Sequence, residues 1–196
     1  RVFDREGKGR VDYLDYTYRV AQGMLHEETT GQLDVLLKEL PALTPDEQRL
    51  FNNFRERTSR IARFASEKDV RLLVDAEQTF YQMAIDHIVR RLQRQYNREL
   101  PIVYNTYQCY MHITPRRLAN DMVRAEREGV VWAGKMVRGA YMQQERQVAE
   151  HHQYPSPVFD TIEGTHECYD SCAAAIMDAA RGGRRLGVLF GSHNMH

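Results

Sequence analysis

From Val70 onward, short uninterrupted apolar runs alternate with longer segments whose apolar residues recur at helical spacing. Arg71-Leu-Leu-Val-Asp75 is too continuous for a strand with one wet face, so it predicts a strand covered on both sides. Phe80, Ala84, Ile85, Ile88, Leu92 and Tyr96 then mark a helix. Pro101-Ile-Val-Tyr104 predicts a second strand. Thr114-Pro115 opens another helix, with Leu118, Met122 and Ala125 inward and Gly129 at its end. Val130 to Val137 predicts a third strand. A helix from Thr161 to Arg181 carries Tyr169, Cys172, Ala173, Ile176 and Met177 and stops at Gly182-Gly183, before a fourth strand, Leu186-Gly-Val-Leu-Phe190.

Covered strands joined by helices imply a parallel sheet and an α/β fold. Two architectures remain open, a doubly wound sheet and a (βα)8 TIM-type barrel. No G-x-G-x-x-G follows a strand, which weakens the dinucleotide-binding version of the first. A complete barrel takes eight strands and about 250 residues. Four strands would form a partial barrel, about half of one.

The chain before this alternation is different. Residues 1–66 are polar and helix-rich, and are expected to precede the barrel segment 67–196 as a separate helical segment. Thr44-Pro45-Asp46-Glu47 predicts a helix start, with Thr44 as cap, Pro45 at the first helical position and Glu47 returning a hydrogen bond. Leu50, Phe54, Ile61 and Ala65 would form its apolar face. Asp4, Glu6, Asp12 and Asp15 fall at ligand positions of an EF-hand loop, with Gly9 at the sharp turn. Lys8 puts a cation where a ligand belongs, and Asp15 replaces the longer Glu. The loop over 4–15 is read as a degenerate EF-hand remnant, a weak candidate for calcium.

Lys plus Arg and Asp plus Glu both number 27, so the formal net charge is zero. That balance argues against a nucleic-acid or polybasic membrane role. No apolar run approaches the roughly 20 residues that span a bilayer. Cys109, Cys168 and Cys172 are too few and odd in number for a secreted disulfide framework, so reduced thiols in an intracellular compartment are expected. Cys168 and Cys172 lie one helical turn apart with His166 nearby, but that ligand set is incomplete, and buried thiols without a metal are expected. His151-His152 is read as a solvated loop before Pro155. The start at Arg1 and the stop at Met195-His196 are read as cuts in a longer protein.

Chemistry in parallel α/β folds collects at the carboxyl ends of strands. Four polar clusters stand there: Asp75-Ala76-Glu77-Gln78, Asn105-Thr106-Tyr107-Gln108, Lys135 to Tyr141, and Ser192-His193-Asn194. Single clusters of this kind usually cap helices; four in succession exceed that need. In the third, Lys135 and Arg138 flank a backbone left open by Gly139 and Ala140, which suits a phosphate or an anionic ring. A buried Lys with a local carboxylate partner is the plainer alternative.

Together, Leu-Leu-Val-Asp75-Ala-Glu-Gln-Thr-Phe-Tyr-Gln, Tyr-Asn-Thr-Tyr-Gln108-Cys-Tyr, Lys135-Met-Val-Arg-Gly-Ala-Tyr141-Met-Gln-Gln-Glu-Arg and Ser192-His-Asn194 resemble the mitochondrial proline dehydrogenase family, in its order and at comparable intervals. The resemblance implies a distorted (βα)8 barrel with non-covalent FAD over the strand ends. It also implies oxidation of L-proline to Δ1-pyrroline-5-carboxylate by hydride transfer to flavin N5, with electrons passed to a quinone. The expected location is the mitochondrial inner membrane, matrix side, as a peripheral protein.

The same resemblance assigns Lys135 to the basic position near N5 and Asp75 to an acidic residue that orients the basic groups of the substrate site. Gln108 would contact the flavin, and Ala76, Val137, Arg138, Gly139, Ala140, Ser192, His193 and Asn194 would line its path, with Arg138 near the phosphates or ribityl chain. Met136 and Tyr141 match positions lining the proline pocket. The family's carboxylate-clamping arginine pair would fall after His196 and a substrate-site lysine before Arg1, so this chain by itself is expected to bind FAD poorly and turn over little proline. Competing readings are hydroxyproline dehydrogenase, a non-catalytic barrel relative, and a different barrel enzyme using Lys135 as a Schiff-base nucleophile.

Overall fold

The computed structural model describes residues 43–193. The EF-hand-like loop and Asn194 lie outside the described residues. The chain divides after Glu56 into two compact units. In the first, the expected capping box is present. The Thr44 N–H donates to the Glu47 carboxylate at 2.8 Å, and the Glu47 N–H donates to Thr44 Oγ1 at 3.3 Å. It opens helix α1, Pro45–Glu67. Of the expected apolar face of α1 the structure buries Ala65, together with Ala62, whereas Leu50, Phe54 and Ile61 are exposed. Ser59 sits on that covered side, taking hydrogen bonds from Arg91 at 3.1 Å and, through its carbonyl, from Tyr96 at 3.2 Å.

The second unit runs β1 (Leu72–Leu73), α2 (Thr79–Tyr96), β2 (Val103–Gln108), α3 (Thr114–Arg127), β3 (Trp132–Val137), α4 (Met142–His151), α5 (Ile162–Arg181) and β4 (Leu186–Phe190). The strands lie in the order β1-β2-β3-β4 and every pair is parallel. A doubly wound sheet reverses its strand order at a switch point. This order never reverses, so the sheet is an arc of the barrel type. Tyr107, Trp132 and Met136 pack with Leu118 and Met122 of α3 and with Tyr169, Cys172 and Ile176 of α5, forming the main core between sheet and helices.

Two segments differ from the sequence reading. β2 does not end at Tyr104; it continues through Asn105-Thr106-Tyr107-Gln108, all buried. These polar side chains are tolerated because each is partnered. Asn105 donates to Asp86 at 3.0 Å, and the Tyr107 hydroxyl donates to Asp121 at 2.8 Å. Helix α4 was not foreseen, because Met-Gln-Gln-Glu-Arg-Gln offers little apolar periodicity. His151 is therefore the last residue of a helix and not part of a loop.

Asn97 ties the lower end of the sheet together. It is fully buried, donates to the carbonyls of Val103 and Val131, and accepts from the N–H groups of Ile102 and Val103, at 2.8–3.2 Å. One amide thereby holds β2 and β3 in register at their starts.

Candidate active site

Successive strand side chains point to opposite faces. Since Tyr107 and Met136 face the helices, Thr106, Gln108, Lys135 and Val137 face the other way, into the concave side of the arc. Thr106, Lys135 and Leu189 share one register layer across β2, β3 and β4. Above this layer a cleft of about 410 Å³ opens between the strand ends. Asp75, Gln108, Lys135 and His193, from four successive strand ends, all line it.

Lys135 forms an ion pair with Asp75, reaching across the end of β2. The Lys135 side chain is 19% exposed and Asp75 is 76% exposed, so the ammonium is mostly enclosed while the carboxylate stands in the open cleft. The loop carrying Asp75 is pinned to β2. Thr106 Oγ1 donates to the Val74 carbonyl at 2.7 Å, and Gln108 Nε2 donates to the Glu77 carbonyl at 2.9 Å. The neighbouring Glu77 carboxylate raises the Tyr141 phenol pKa. Thr106 and Glu77 both line the cleft and were not singled out in the sequence. The alternation Tyr104-Thr106-Gln108 would have revealed Thr106 once β2 was extended to Gln108.

Arg138 is held on three sides. Its Nε–H donates to His166 Nδ1 at 2.9 Å, Nη1 donates to Ser192 Oγ at 2.7 Å, and its guanidinium lies 4.3 Å from the Tyr169 ring centroid. These contacts fix the plane of the guanidinium and leave Nη2 for a ligand. His166 and Tyr169 sit on one face of α5, whose start is capped by Thr161 accepting from the Gly164 N–H at 3.2 Å. His166 is thus a partner of Arg138.

Gly139 has φ +126°, and a Cβ there would lie 1.5 Å from a Tyr110 ring carbon. Glycine is required by both backbone and neighbour. The turn it makes carries Ala140 and Tyr141 along the cleft wall, beside Ala76. The end of β3 is secured to α2 by α4: the buried Glu145 carboxylate accepts from the Thr79 N–H at 2.6 Å and from Thr79 Oγ1 at 2.8 Å. A carboxylate at a helix N-terminus satisfies orphan donors and the helix dipole together.

Met136 is placed elsewhere. It is buried in the helix-facing core beside Tyr107, so the strand alternation that presents Lys135 and Val137 to the cleft turns Met136 away from it. It does not line this pocket. Val137, Arg138, Gly139, Ala140, Tyr141, Ser192 and His193 do.

A family model described as Proline dehydrogenase matches residues 9–196. This chain belongs to the proline dehydrogenase family. It is 38% identical over 188 residues to Proline dehydrogenase 1, mitochondrial, of Drosophila melanogaster, covering 92% of this chain and 26% of that protein. The human protein of the same name is 37% identical over 193 residues, covering 95% of this chain and 32% of its own length. Hydroxyproline dehydrogenase of Xenopus laevis is 33% identical over 153 residues, covering 78% and 33%. The chain spans between about a quarter and a third of the length of these relatives. Among solved structures, proline utilization A from Bdellovibrio bacteriovorus, inactivated by N-propargylglycine, superposes with a TM-score of 0.66 at 21% identity, covering 73% of this chain and 15% of that one. A bifunctional proline utilization A protein gives 0.67 at 19%, covering 74% and 15%. These likenesses establish the TIM-barrel-like fold.

The side chains of this family member suit a flavin. Lys135 and Arg138 supply cations, Gln108 an amide edge, and Ala76, Gly139 and Ala140 a low wall along which a flat ring can lie. The donor set matches a ring that gains negative charge on reduction.

Proposed function

We propose that this chain carries the flavin-facing strand ends of an FAD-dependent proline dehydrogenase, which oxidises L-proline to Δ1-pyrroline-5-carboxylate. The observation that carries this reading is the convergence of Asp75, Gln108, Lys135 and His193 on one cleft, in a chain of this family. FAD, when bound, supplies the hydride acceptor at N5.

Each residue then has a physical task. The enclosed Lys135 ammonium stabilises negative charge developing over the ring edge. Asp75 orients that ammonium and presents its carboxylate to the open cleft. The Gln108 amide is held by Glu77 in one orientation, ready for the ring's polar edge. Arg138, fixed by His166, Ser192 and Tyr169, offers Nη2 to a phosphate or a ribityl oxygen. His193, Ser192 and Val137 line the flavin's path, Tyr141 lines the substrate side, and Ala76, Gly139 and Ala140 allow close approach. The described helix α1 precedes the barrel part of the chain. Relatives named as mitochondrial support the same compartment here; the acceptor in this reading is a quinone at the matrix face of the inner membrane.

The test is anaerobic reduction of an FAD-loaded protein in which this chain is joined to the family's clamping arginines and substrate-site lysine, followed by flavin absorbance. L-Proline should bleach the flavin. Lys135→Met should slow that bleaching by about 100-fold, the scale of one lost charge-stabilising donor. A partly exposed ion pair contributes only about 0–1 kcal/mol, so folding stability should change little. Preference for 4-hydroxy-L-proline would favour the second reading, which the match to the Xenopus laevis protein supports. Bound flavin left oxidised by both amino acids would overturn the proposal.

A further inference from the structure

The chain contains three cysteines, and all three meet at one buried point. Cys109 continues the outward face of β2 set by Asn105 and Tyr107, and its N–H donates to the Val137 carbonyl at 2.8 Å. Cys168 and Cys172 lie one turn apart on the sheet-facing side of α5. The three Sγ atoms lie within 4.8 Å of one another, although Cys109 is far from the other two in sequence. The thiols are covered by the main core, with Tyr169 and Ile176 beside them.

We propose that Cys109, Cys168 and Cys172 form a three-coordinate site for a soft d10 cation, and that Cu(I) is the ion it suits. Metal–thiolate bonds of about 2.3 Å in a trigonal plane separate the sulfurs by about 4.0 Å. The observed spacing admits that triangle with small side-chain adjustments. Soft sulfur ligands favour Cu(I) and Zn(II) over harder ions. The choice between those two follows from ligand number. Zn(II) in closed protein sites takes four ligands, whereas among the described residues no His, Asp or Glu joins these three sulfurs. His166, two residues before Cys168 on α5, is turned to Arg138. Cu(I) is satisfied by three sulfurs and needs no water in the dry core. Binding releases the displaced S–H protons to solvent, and the metal keeps its oxidation state.

The site lies directly behind the cleft. Tyr169, which stacks on Arg138, follows Cys168 in sequence, and Gln108 precedes Cys109. An ion there would rivet α5 to the end of β2 and so brace two cleft residues from the rear. This siting is independent of the proposed reaction.

The experiment is anaerobic titration of the reduced 196-residue chain with Cu(I) buffered by bicinchoninate, followed by X-ray absorption at the copper edge. One Cu(I) per chain with three sulfurs at about 2.3 Å is expected. Disturbing a group behind a metal ligand already costs about 10- to 100-fold in affinity, so losing a ligand in Cys109→Ser should weaken binding by more than about tenfold and lower the sulfur count to two. Zn(II) should compete poorly. Circular dichroism and metal-free melting of the variant check its fold, and the sulfur count of the unaltered chain stands without any variant. No uptake against bicinchoninate, two sulfurs or fewer in the unaltered chain, or full affinity in folded Cys109→Ser would each overturn the proposal and leave the thiols as core filling.

Discussion

Gly139 and Lys135 represent two kinds of constraint at the level of single residues. Gly139 is fixed by sterics, with φ +126° and the Tyr110 ring where a Cβ would go. Gly139→Ala should destabilise the fold by about 3 kcal/mol, combining backbone strain with overpacking, each about 1–3 kcal/mol. Urea denaturation measures this. Adding Tyr110→Leu should recover the packing part and leave the backbone part. Lys135 is fixed by chemistry: its partner Asp75 stands mostly in solvent, so the pair contributes little to folding. Asp75→Asn should accordingly leave the denaturation midpoint nearly unchanged while lowering proline-dependent flavin reduction by about tenfold or more. A large stability loss with normal turnover would reverse the roles given to these two residues.

Helices and strands are joined here by buried polar groups as much as by apolar packing. Glu145 of α4 holds the first turn of α2. Asp121 of α3 accepts from Tyr107 of β2 and pairs with Arg90 of α2 and Arg124 of its own helix. Removing such an acceptor leaves its donors buried without partners. Glu145→Ala should cost about 3 kcal/mol, and hydrogen exchange at the Thr79 amide should accelerate ahead of the sheet amides. Asp121→Ala should cost about 3–5 kcal/mol, because two arginines and a tyrosine lose a common partner. Thermal and urea unfolding read both. Burial, with the Arg90 guanidinium nearby, holds the Arg124 pKa down at about 10.

The arc as a whole gathers contacts that are distant in sequence onto one rim. A ligand seated there touches the ends of all four strands and should stabilise the second unit as a body. At a FAD concentration of about 100 times its dissociation constant, global stability should rise by about 2.7 kcal/mol. For a chain of this size that is a melting shift of about 5–10 °C. The same FAD concentration should shift Arg138→Met less, because the guanidinium held by His166, Ser192 and Tyr169 is gone.

Much of this was legible in the residues. Continuous apolar runs between helical segments gave the strands and their parallel sense, because only sheets covered on both faces need such runs. The polar residues following those runs marked the rim, since parallel strands place their ends together. Less was legible where burial is bought with partners. Asn105 to Gln108 look like a loop by polarity, and Met142 to His151 lack apolar periodicity, yet one is a strand and the other a helix. Their acceptors and donors, Asp86, Asp121 and Thr79, are remote in sequence.

The sequence by itself determined the type of the apolar-patterned elements, the parallel sense and the family, because each rests on local pattern. Only the tertiary structure decided that the strand order runs without reversal, that Met136 faces the core while its neighbours face the cleft, and that Cys109 meets Cys168 and Cys172. Those outcomes depend on register and on which face of a strand a helix covers. Register and facing are properties of pairs of segments and cannot be written in either segment alone.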